Sequence, residues 1–428
     1  MDNHPKNKNR AFHPADILLP KHAAFEKWAC IACDQFTAEP EYWKKAEEYT
    51  KDAPSALHLV LPEIYLSSPD VENRIESINQ NMETYLHDGV FEKLEYALLY
   101  IERTQPNGVI RSGVVGAVDL ECYDYHAGAS SLIRATEATV PDRLPPRVKI
   151  RSGAALELPH IMILIDDPDR SIIESFAAQK DVMEKLYAFD LMLGGGRIEG
   201  YLLPDDMKEK MMCRLDAFAE RQRKNGESAA DGVQPFVFAV GDGNHSLAAA
   251  KVYYEQLKAQ NPEKDLSHHP ARYALCELVN LHSPALEFEA IHRILTGVDK
   301  KDLQEAMIKS LGLSENEPSE QKITVVSGGV QTSFYIHKPT AALPVGSLQN
   351  FLDTYLSSHE GTIDYIHGAD TVIKLSKRED AVGFLLPNME KEQLLPTVAA
   401  DGALPRKTFS MGCAKEKRYY IEARKIRE

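Results

Sequence analysis

Apolar residues recur with helical spacing in the first part of the chain and then give way to a strand pattern. Residues 71–87 carry the helical spacing, and an Asp-Gly pair follows them. Residues 96–104 and 113–125 hold alternating or continuous apolar residues, with a Gln-Pro-Asn-Gly turn between them. The pattern therefore predicts a helix followed by a β-hairpin.

The middle of the chain alternates predicted strands and helices. Residues 158–165 predict a buried strand, and a Ser-x-x-Glu capping signal at Ser171 opens a helix that runs to the glycines at 194–196. A second helix is expected at about 205–224. Residues 235–240 are an apolar run that predicts another buried strand. Helical spacing follows it, at Leu247, Ala250, Tyr254 and Leu257.

The last part of the chain mixes helix and strand patterns in the same way. Residues 348–357 predict a helix and 381–386 a strand, while the acidic, proline-containing segment at 314–321 marks an internal boundary. A chain of 428 residues is too long for one compact core. We therefore expect an α/β fold with mixed sheets, made of a main domain at 1–312 and a C-terminal α+β portion at 313–428.

The charge of the chain argues against nucleic acid as a partner. Its formal net charge is −15, so its field should repel a polyanion. The tail differs, because residues 406–428 contain eight basic and three acidic side chains. Tyr419, Tyr420 and Ile421 interleave with them, which favours a solvated terminal strand or helix over a polyanion patch.

The sequence predicts a cytoplasmic protein with no membrane span. It has no apolar run of about 18 residues, and residues 1–10 are polar where a secretory signal would be apolar. Six mostly scattered cysteines fit a reducing compartment. Cys30 and Cys33 form a Cys-x-x-Cys pair. We interpret them as two buried thiols, because no second pair completes a zinc site and the flanks lack a clear thioredoxin-like pattern.

The strongest candidate for chemistry is a turn between the predicted strand at 235–240 and the helix after it. This glycine turn consists of Gly241, Asp242, Gly243, Asn244, His245 and Ser246. Two glycines permit positive φ, and consecutive amides at the amino end of a helix bind anions. We predict phosphate contacts from Gly241, Gly243, Asn244 and Ser246, a catalytic and Mg²⁺-binding role for Asp242, and acid–base catalysis or phosphate contact by His245. The alternative is a tight turn in which a polar residue caps the helix.

Two further segments offer candidate site residues. Arg197 follows the glycines at 194–196 and would clamp a phosphate, unless those glycines end a helix and Arg197 lies on the surface. Residues 134–143 are dense in charge between predicted strands. There Glu137 would act as a base or metal ligand and Arg143 as an anion contact, unless the segment is a surface loop.

Three segments, in this order, resemble the bacterial and archaeal domain-of-unknown-function family 1015. Glu137-Ala138-Thr139 with Asp142-Arg143 resembles the family's H-E-x-T…D-R element. Asp242-Gly243-Asn244-His245 resembles its D-G-H-H-R element, and residues 404–409 resemble its M-P-x-K-S-T-x-F element. The ordered landmarks extend over nearly the whole chain.

The D-G-H-H-R element is in turn similar to the phosphate-contacting turn of ParB/sulfiredoxin-like proteins, which include free-serine kinases. The resemblance implies a core of that type and serine or phosphoserine as a substrate. This chain departs from the pattern, because Asn244 replaces the first His, Ser246 replaces the Arg, and Ala135 or Thr136 lies near the His expected before Glu137. Without that Arg a bidentate phosphate donor is lost, so the site would have altered activity or would bind without turnover.

Two functions remain open from the sequence. The first is an enzyme that handles a phosphorylated small molecule by kinase- or phosphatase-type transfer, with Mg²⁺ and a nucleotide as candidate cofactors, because such transfer depends mainly on positioning and charge neutralisation. The second is a non-catalytic nucleotide- or metabolite-binding protein with a ParB-like fold. In both cases we expect Glu137 and Arg143 to share one cleft with His245.

Overall fold

The helices and strands of the protein are known from a computed structural model. It describes residues 10–126, 128–227 and 236–428. The helices are α1 (Phe25–Trp28), α2 (Pro40–Thr50), α3 (Val71–His87), α4 (Leu144–Gly153), α5 (Asp205–Glu227), α6 (Asn244–Gln260), α7 (Lys300–Leu311), α8 (Pro344–Leu356), α9 (Ala369–Leu375) and α10 (Leu394–Asp401). The strands are β1 (Phe12–His13), β2 (Ala15–Pro20), β3 (Cys30–Ile31), β4 (Phe91–Ala97), β5 (Leu99–Thr104), β6 (Ile110–Asp119), β7 (Tyr123–Asp124), β8 (Ile133–Ala135), β9 (Leu156–Glu157), β10 (Ile161–Ile165), β11 (Glu184–Asp190), β12 (Arg197–Leu202), β13 (Phe238–Asp242), β14 (Tyr273–Asn280), β15 (Phe288–Thr296), β16 (Leu313–Ser314), β17 (Gln321–Ser327), β18 (Val330–Ile336), β19 (Thr362–His367), β20 (Ala381–Leu385), β21 (Phe409–Met411), β22 (Tyr419–Tyr420) and β23 (Arg424–Lys425).

A ten-stranded mixed sheet is the centre of the first of two compact units. This unit comprises the chain up to Ala135, Thr139–Leu286 and Cys413–Glu428. Its strands follow the order β11-β12-β5-β6-β14-β10-β13-β8-β7, and β1 pairs with β6. Side chains alternate between two hydrophobic clusters, with Leu99 in one and Tyr100 in the other. The sheet is therefore buried on both faces, and every residue of β10 is buried.

Most elements predicted for the first unit are confirmed. The helix α3 spans the predicted residues, and β5 and β6 form the predicted antiparallel hairpin. The expected strand, turn and helix around the glycine turn are present as β13 and α6. Phe238 is buried and Ala250 lies within the helix, as the apolar spacing requires. Helix α4 packs on α6 through Leu144, Val148, Ala248 and Ala249.

Two expectations for this unit are wrong. The helix expected from Ser171 to residue 193 is a 3-10 helix, Glu174–Val182, followed by strand β11. Tyr187 and Phe189 are buried, while Ala188 between them and Asp190 after them are exposed, which is the strand period. Strand β11 also pairs with β12. The tail is not solvated, because its apolar residues enter the core and β22 pairs with β3.

The second unit contains an antiparallel sheet of seven strands. It comprises Thr136–Ala138 and Glu287–Gly412. Its strand order is β16-β18-β17-β20-β15-β19, and β21 pairs with β15. The predicted helix near 348–357 and strand at 381–386 are present as α8 and β20. The compact units differ from the ranges 1–312 and 313–428, because β15 pairs within the second sheet and the tail packs in the first unit.

The fold class expected from the sequence, an α/β fold with mixed sheets, is confirmed by these two sheets and the helices that flank them. Within the described ranges, no helix combines the length and the apolar character needed to cross a bilayer.

Candidate functional site

The glycine turn connects β13 to α6, and its two glycines are needed for different reasons. Gly241 lies at an irregularity in the β10–β13 ladder, where a Cβ would come 2.7 Å from a side-chain carbon of Leu164. Gly243 has φ +81°, and its Cβ would lie 3.0 Å from Cδ2 of His160 and 3.1 Å from Cα of Ile161. Gly243 thus combines a left-handed backbone with a close approach to its neighbour. It also precedes the 17-residue helix α6, which has no side-chain N-cap.

Asp242 makes two contacts that fix the turn. Its Oδ1 accepts a hydrogen bond from the backbone N–H of Gly243 at 2.9 Å. Its Oδ2 lies 3.3 Å from Nζ of Lys417, and both side chains are largely buried. The carboxylate therefore holds the ammonium group of Lys417 next to the amino end of α6, where the helix dipole is also positive.

An ion pair between His160 and Asp34 lies against Gly243. The distance from Nε2 of His160 to Oδ2 of Asp34 is 3.6 Å, and Gln35 donates a hydrogen bond to the other carboxylate oxygen at 2.8 Å. Burial alone would lower the pKa of His160, but Asp34 outweighs it and holds that pKa well above its usual range. Burial would raise the pKa of Asp34, yet His160, Gln35 and Lys417 hold it well below its usual range. The pair is therefore a carboxylate and an imidazolium near neutral pH.

Tyr420 connects this ion pair to a thiol. Its hydroxyl is hydrogen-bonded to Nδ1 of His160 and accepts the backbone N–H of Cys33 at 3.1 Å. The same hydroxyl donates to Sγ of Cys33 at 3.3 Å. Burial raises the pKa of Tyr420 well above its usual range, so the hydroxyl keeps its proton and remains a donor. Asp34, His160, Tyr420 and Cys33 thus form one chain of polar contacts, called the relay below.

A cavity of about 160 Å³ opens beside the relay and the glycine turn. Cys33, His160 and Tyr420 line it together with Ser246 from the first turn of α6. Its other walls are mostly apolar and include Leu59, Leu61, Met82, Ile150 and Leu158. This volume is small for a drug-sized ligand, so the cavity fits a small molecule with an apolar part.

Two arginines on α4 also line the cavity. Arg147 is ion-paired with Glu63, and Nη1 of Arg151 lies 2.7 Å from a carboxylate oxygen of Glu157. The Nε and Nη2 atoms of Arg151 are buried, and the described residues offer them no hydrogen-bond partner. The wall formed by α4 therefore carries guanidinium groups whose charges are paired and whose hydrogen-bond donors are only partly satisfied.

Buried arginines hold the C-terminal segment in place. Arg103 donates hydrogen bonds to the backbone oxygens of Lys415 at 2.7 Å and Lys417 at 3.1 Å, and burial lowers its pKa to about 10. Arg418 pairs with Glu277 at 2.7 Å and with Glu422 at 2.5 Å. Because Arg103 and Arg418 are buried and paired, they fix the backbone of residues 415–422. Lys417 and Tyr420 lie in this segment and therefore have fixed positions.

The glycine-turn residues that the sequence predicts as site residues lie together. One of them, His245, makes a backbone contact that the sequence does not predict. Nε2 of His245 accepts the backbone N–H of Val140 at 3.2 Å, which ties α6 to the segment before α4. Asn244 is buried in the first turn of α6, and Ser246 lines the cavity. The roles expected for these residues, and for Gly241, Asp242 and Gly243, stay predictions.

The other predicted site residues belong to other elements of the chain. Arg143 is exposed just before α4, three residues after Val140. Arg197 begins β12, five strands from β13 in the sheet, and its guanidinium lies 3.1 Å from Asp190. Glu137 belongs to the second unit, where it forms a β-bridge with Leu404. Their predicted parts in the site stay predictions.

The surroundings of Asp242 do not fit a resident Mg²⁺. One carboxylate oxygen accepts an amide N–H and the other faces the ammonium group of Lys417, which supplies the positive charge that a cation would bring. Among the described residues, no group of three or more His, Cys, Asp or Glu side chains could hold a metal ion. No step proposed below uses a metal at Asp242.

Sequence reasoning missed the partners of the glycine turn. In the sequence, Cys33 stands out only by its Cys-x-x-Cys spacing and Tyr420 only as an aromatic residue in a basic tail, while Asp34 and Lys417 carry no signal of their own. Nothing in their local pattern signals that β3 and β22 pair and bring both segments to His160. The available signal is the apolar run Tyr419-Tyr420-Ile421 within the basic tail, which is typical of a short buried strand.

Comparison with known proteins identifies a family and several structures of low similarity. The family model described as "Protein of unknown function (DUF1015)" matches residues 14–355. No curated protein matches the chain. Among solved structures, a free serine kinase mutant in complex with AMP is 11% identical, covers 72% of this chain and 91% of its own, and has a TM-score of 0.40. SbnI with a C-terminal truncation, from Staphylococcus aureus, is 11% identical, covers 70% and 83%, and has a TM-score of 0.36. A conserved hypothetical protein from Pyrococcus furiosus is 12% identical, covers 69% and 90%, and has a TM-score of 0.34.

Proposed function

The chain belongs to the DUF1015 family, as its motifs predict, and we propose that it is an enzyme that binds a small phosphorylated molecule at the glycine turn and transfers the phosphoryl group. The observation that carries the proposal is that three positive groups lie at the glycine turn. They are the amino end of α6, the ammonium group of Lys417 and the imidazolium of His160. Oxygen atoms of a phosphate group are bound by such donors.

The charges around the turn are balanced before a ligand binds. Asp242 partners Lys417, and Asp34 partners His160. A phosphate group adjacent to Gly243 would compete with Asp242 for the ammonium of Lys417, so binding should involve a shift of that side chain. The ordered backbone around Lys417, held by Arg103, limits this shift and keeps the ammonium at the turn.

His160 is the group best suited to move a proton in this reaction. Asp34 holds its pKa well above the usual range, so the ring carries a proton at neutral pH. A protonated imidazole donates to the oxygen of a leaving group, which is general acid catalysis. This role differs from the sequence-based expectation, which gives acid–base catalysis to His245. Because Nε2 of His160 faces Asp34 and Nδ1 contacts Tyr420, proton donation to the ligand requires one of these contacts to yield.

The size and lining of the cavity support a small substrate. Its volume of about 160 Å³ and its apolar walls fit a metabolite with a short apolar or weakly polar body. Serine or phosphoserine, which the family resemblance implies, is of this size. A nucleotide as phosphoryl donor, and Mg²⁺ bound to its phosphates, belong to the same proposal.

Calorimetry with inorganic phosphate, phosphoserine and AMP tests the binding step on the full chain. Wild type should bind at least one of the three, and Lys417→Met should weaken that binding by about 1.5–3 kcal/mol, as expected for a lost charge-assisted hydrogen bond. Lys415→Met is the matched control, because Lys415 is exposed two residues away. Binding of none of the three by wild type would contradict the proposal.

A turnover assay separates the enzyme from the alternative, a protein that binds a nucleotide or metabolite without reaction. Serine is incubated with ATP or ADP, and phosphoserine alone, each with and without Mg²⁺. Formation of phosphoserine or release of phosphate that depends on His160 supports the enzyme. Binding without any conversion supports the non-catalytic alternative, which the Ser246 and Asn244 departures from the family pattern also favour.

A further inference from the structure

The relay contains a thiol that the proposed function does not use. Cys33 is half-buried, lines the cavity and contacts the hydroxyl of Tyr420 at 3.3 Å. That hydroxyl is in turn hydrogen-bonded to His160, which Asp34 keeps protonated. Thiolates are stabilised beside an imidazolium and by hydrogen-bond donors. The arrangement of thiol, imidazole and carboxylate is the kind that activates a nucleophilic cysteine.

We propose that Cys33 is a nucleophile that accepts short acyl groups from activated esters bound in the cavity. The inference goes beyond phosphoryl transfer, since it assigns a covalent step to a residue with no part in that reaction. It rests on the placement of one thiol, one hydroxyl, one imidazole and one carboxylate around a cavity with apolar walls.

The surroundings of the other cysteines make Cys33 distinct. Cys30 and Cys276 are buried, Cys122 is half-buried with its Sγ 3.9 Å from the backbone oxygen of Arg10, and burial raises the pKa of all three thiols. Cys213 and Cys413 are exposed. Cys33 combines an opening onto a cavity with a hydrogen-bond donor from Tyr420.

The acylation step balances with the groups present. Sγ of Cys33 reacts as the thiolate, after its proton has passed to water: sulfur attacks the carbonyl carbon, a C–S bond forms, and the C–O bond to the leaving group breaks with its electron pair on oxygen. An alkoxide leaving group takes the proton of His160, whereas nitrophenolate leaves without one. Water then attacks the thioester, a C–O bond forms and the C–S bond breaks with its electron pair on sulfur. The proton lost by water passes to His160 where the ring has given up its own, and otherwise to solvent.

The cavity indicates the class of acyl group. Leu59, Leu61 and Ile150 on its walls favour an apolar chain, and a volume of about 160 Å³ limits its length. Ser246 places the amino end of α6 at the same cavity, where a positive dipole stabilises the carbonyl oxygen as it gains charge. A short aliphatic acyl ester therefore fits better than a peptide or a long-chain lipid.

A burst experiment with p-nitrophenyl acetate tests the proposal on the full chain. A Cys213→Ser/Cys413→Ser variant removes the exposed thiols and serves as the reference protein. It should release about one equivalent of nitrophenolate per chain in a fast phase, as expected for a covalent intermediate. Acid-quenched peptides should carry the acetyl group on Cys33. A further Cys33→Ser change should abolish the fast phase.

Tyr420→Phe tests whether the relay acts on the thiol. The variant should slow the fast phase at least about tenfold near neutral pH and move its pH profile to higher pH, because the donor to sulfur is lost. A merely structural role of Tyr420 would lower the melting temperature without moving the pH profile.

An experiment on unmodified protein covers the case in which variants do not fold. Wild type is treated with limiting iodoacetamide, and the labelled cysteines are identified. Cys33 should be alkylated at least about tenfold faster than Cys213 and Cys413. Faster labelling of the exposed cysteines, or a burst that survives Cys33→Ser, overturns the proposal. Neither measurement involves phosphate, so failure here leaves the phosphate proposal standing, and the reverse also holds.

Discussion

Two glycine-rich turns of the first unit differ in what surrounds them, although the sequence predicts an anion site at both. The glycine turn, residues 241–246, leads into the 17-residue helix α6 and contacts His160 and Lys417. The turn at 194–196 joins β11 to β12 in an antiparallel hairpin. There, the backbone carbonyl oxygen of Gly195 accepts a hydrogen bond from the guanidinium of Arg103, and a Cβ on Gly196 would lie 2.2 Å from the backbone oxygen of Thr104.

The comparison shows that glycine content alone does not indicate an anion site. Positive φ occurs in both turns, at Gly243 and at Gly194 and Gly196. Only the first is followed by a helix, whose amino end adds the positive end of a dipole. The charge next to the second turn, Arg197, is exposed and lies 3.1 Å from Asp190.

The largest expected effect comes from adding one methyl group to each turn. Gly243→Ala should destabilise the protein by about 2–5 kcal/mol. This is the sum of two costs, one for placing alanine in a left-handed backbone conformation and one for its tight contact with His160 and Ile161. Gly194→Ala has a similar φ of +76°, but its Cβ meets only Nζ of Lys415 at 3.6 Å, so about 1–2 kcal/mol is expected. Urea unfolding of the two variants measures the difference. Equal losses would show that close packing at Gly243 contributes nothing.

The second effect concerns ligand binding at the two turns. Lys417→Met should weaken phosphate binding by about 1.5–3 kcal/mol, while Arg197→Met should change it by less than about 0.5 kcal/mol. The reason is that Lys417 is held beside the amino end of α6, whereas Arg197 lies five strands away. Titration calorimetry with the phosphate compound that binds wild type gives both numbers. A comparable loss in Arg197→Met would support the original sequence prediction for that residue.

The contrast explains how much could be predicted from the sequence. The strand β13, Gly243 and helix α6 follow from local patterns, because an apolar run, a glycine pair and helical spacing are contiguous in the chain. The relay does not, because Cys33, His160 and Tyr420 come from three segments that meet only through tertiary pairing. The expected helix before residues 194–196 is wrong for a related reason. Its partner β12 supplies the ladder that turns the segment into a strand.

The third effect is a pH dependence that only the glycine turn should show. The pKa of His160 is raised by Asp34, so the pair stabilises the fold fully below about pH 6.5 and loses that contribution as pH rises through the raised pKa. The pKa of Asp34 is lowered, so its contribution is present above about pH 4 and is lost as pH falls. The stability difference between wild type and Asp34→Asn should therefore be largest at about pH 4–6.5 and shrink at alkaline pH.

The matched control for this profile is Asp190→Asn beside the other turn. Asp190 and Arg197 are an exposed pair, with side chains 80% and 46% exposed, and such pairs contribute about 0–1 kcal/mol. The difference in the free energy of unfolding between wild type and Asp190→Asn should stay small and nearly constant over the same pH range. Denaturant unfolding at several pH values measures both variants. A flat profile for Asp34→Asn would show that His160 is not charged through Asp34.

The smallest expected effect belongs to His245, the residue that sequence reasoning placed at the centre of the chemistry. His245→Ala removes the acceptor for the N–H of Val140, so the free energy of unfolding should fall by about 0.5–1.5 kcal/mol. His245→Gln is the control, since its amide oxygen can accept the same N–H.

If His245 acts only through Val140, then His245→Gln restores both stability and phosphate binding, and His245→Ala weakens binding no more than it weakens the fold. If His245 contacts the ligand, as its position in the glycine turn predicts, phosphate binding in calorimetry should fall by about 1–3 kcal/mol in both variants while His245→Gln keeps its stability. Because Nε2 is already an acceptor, a ligand contact has to come from Nδ1 or from a rotated ring, and the pair of variants distinguishes that contact from the contact with Val140.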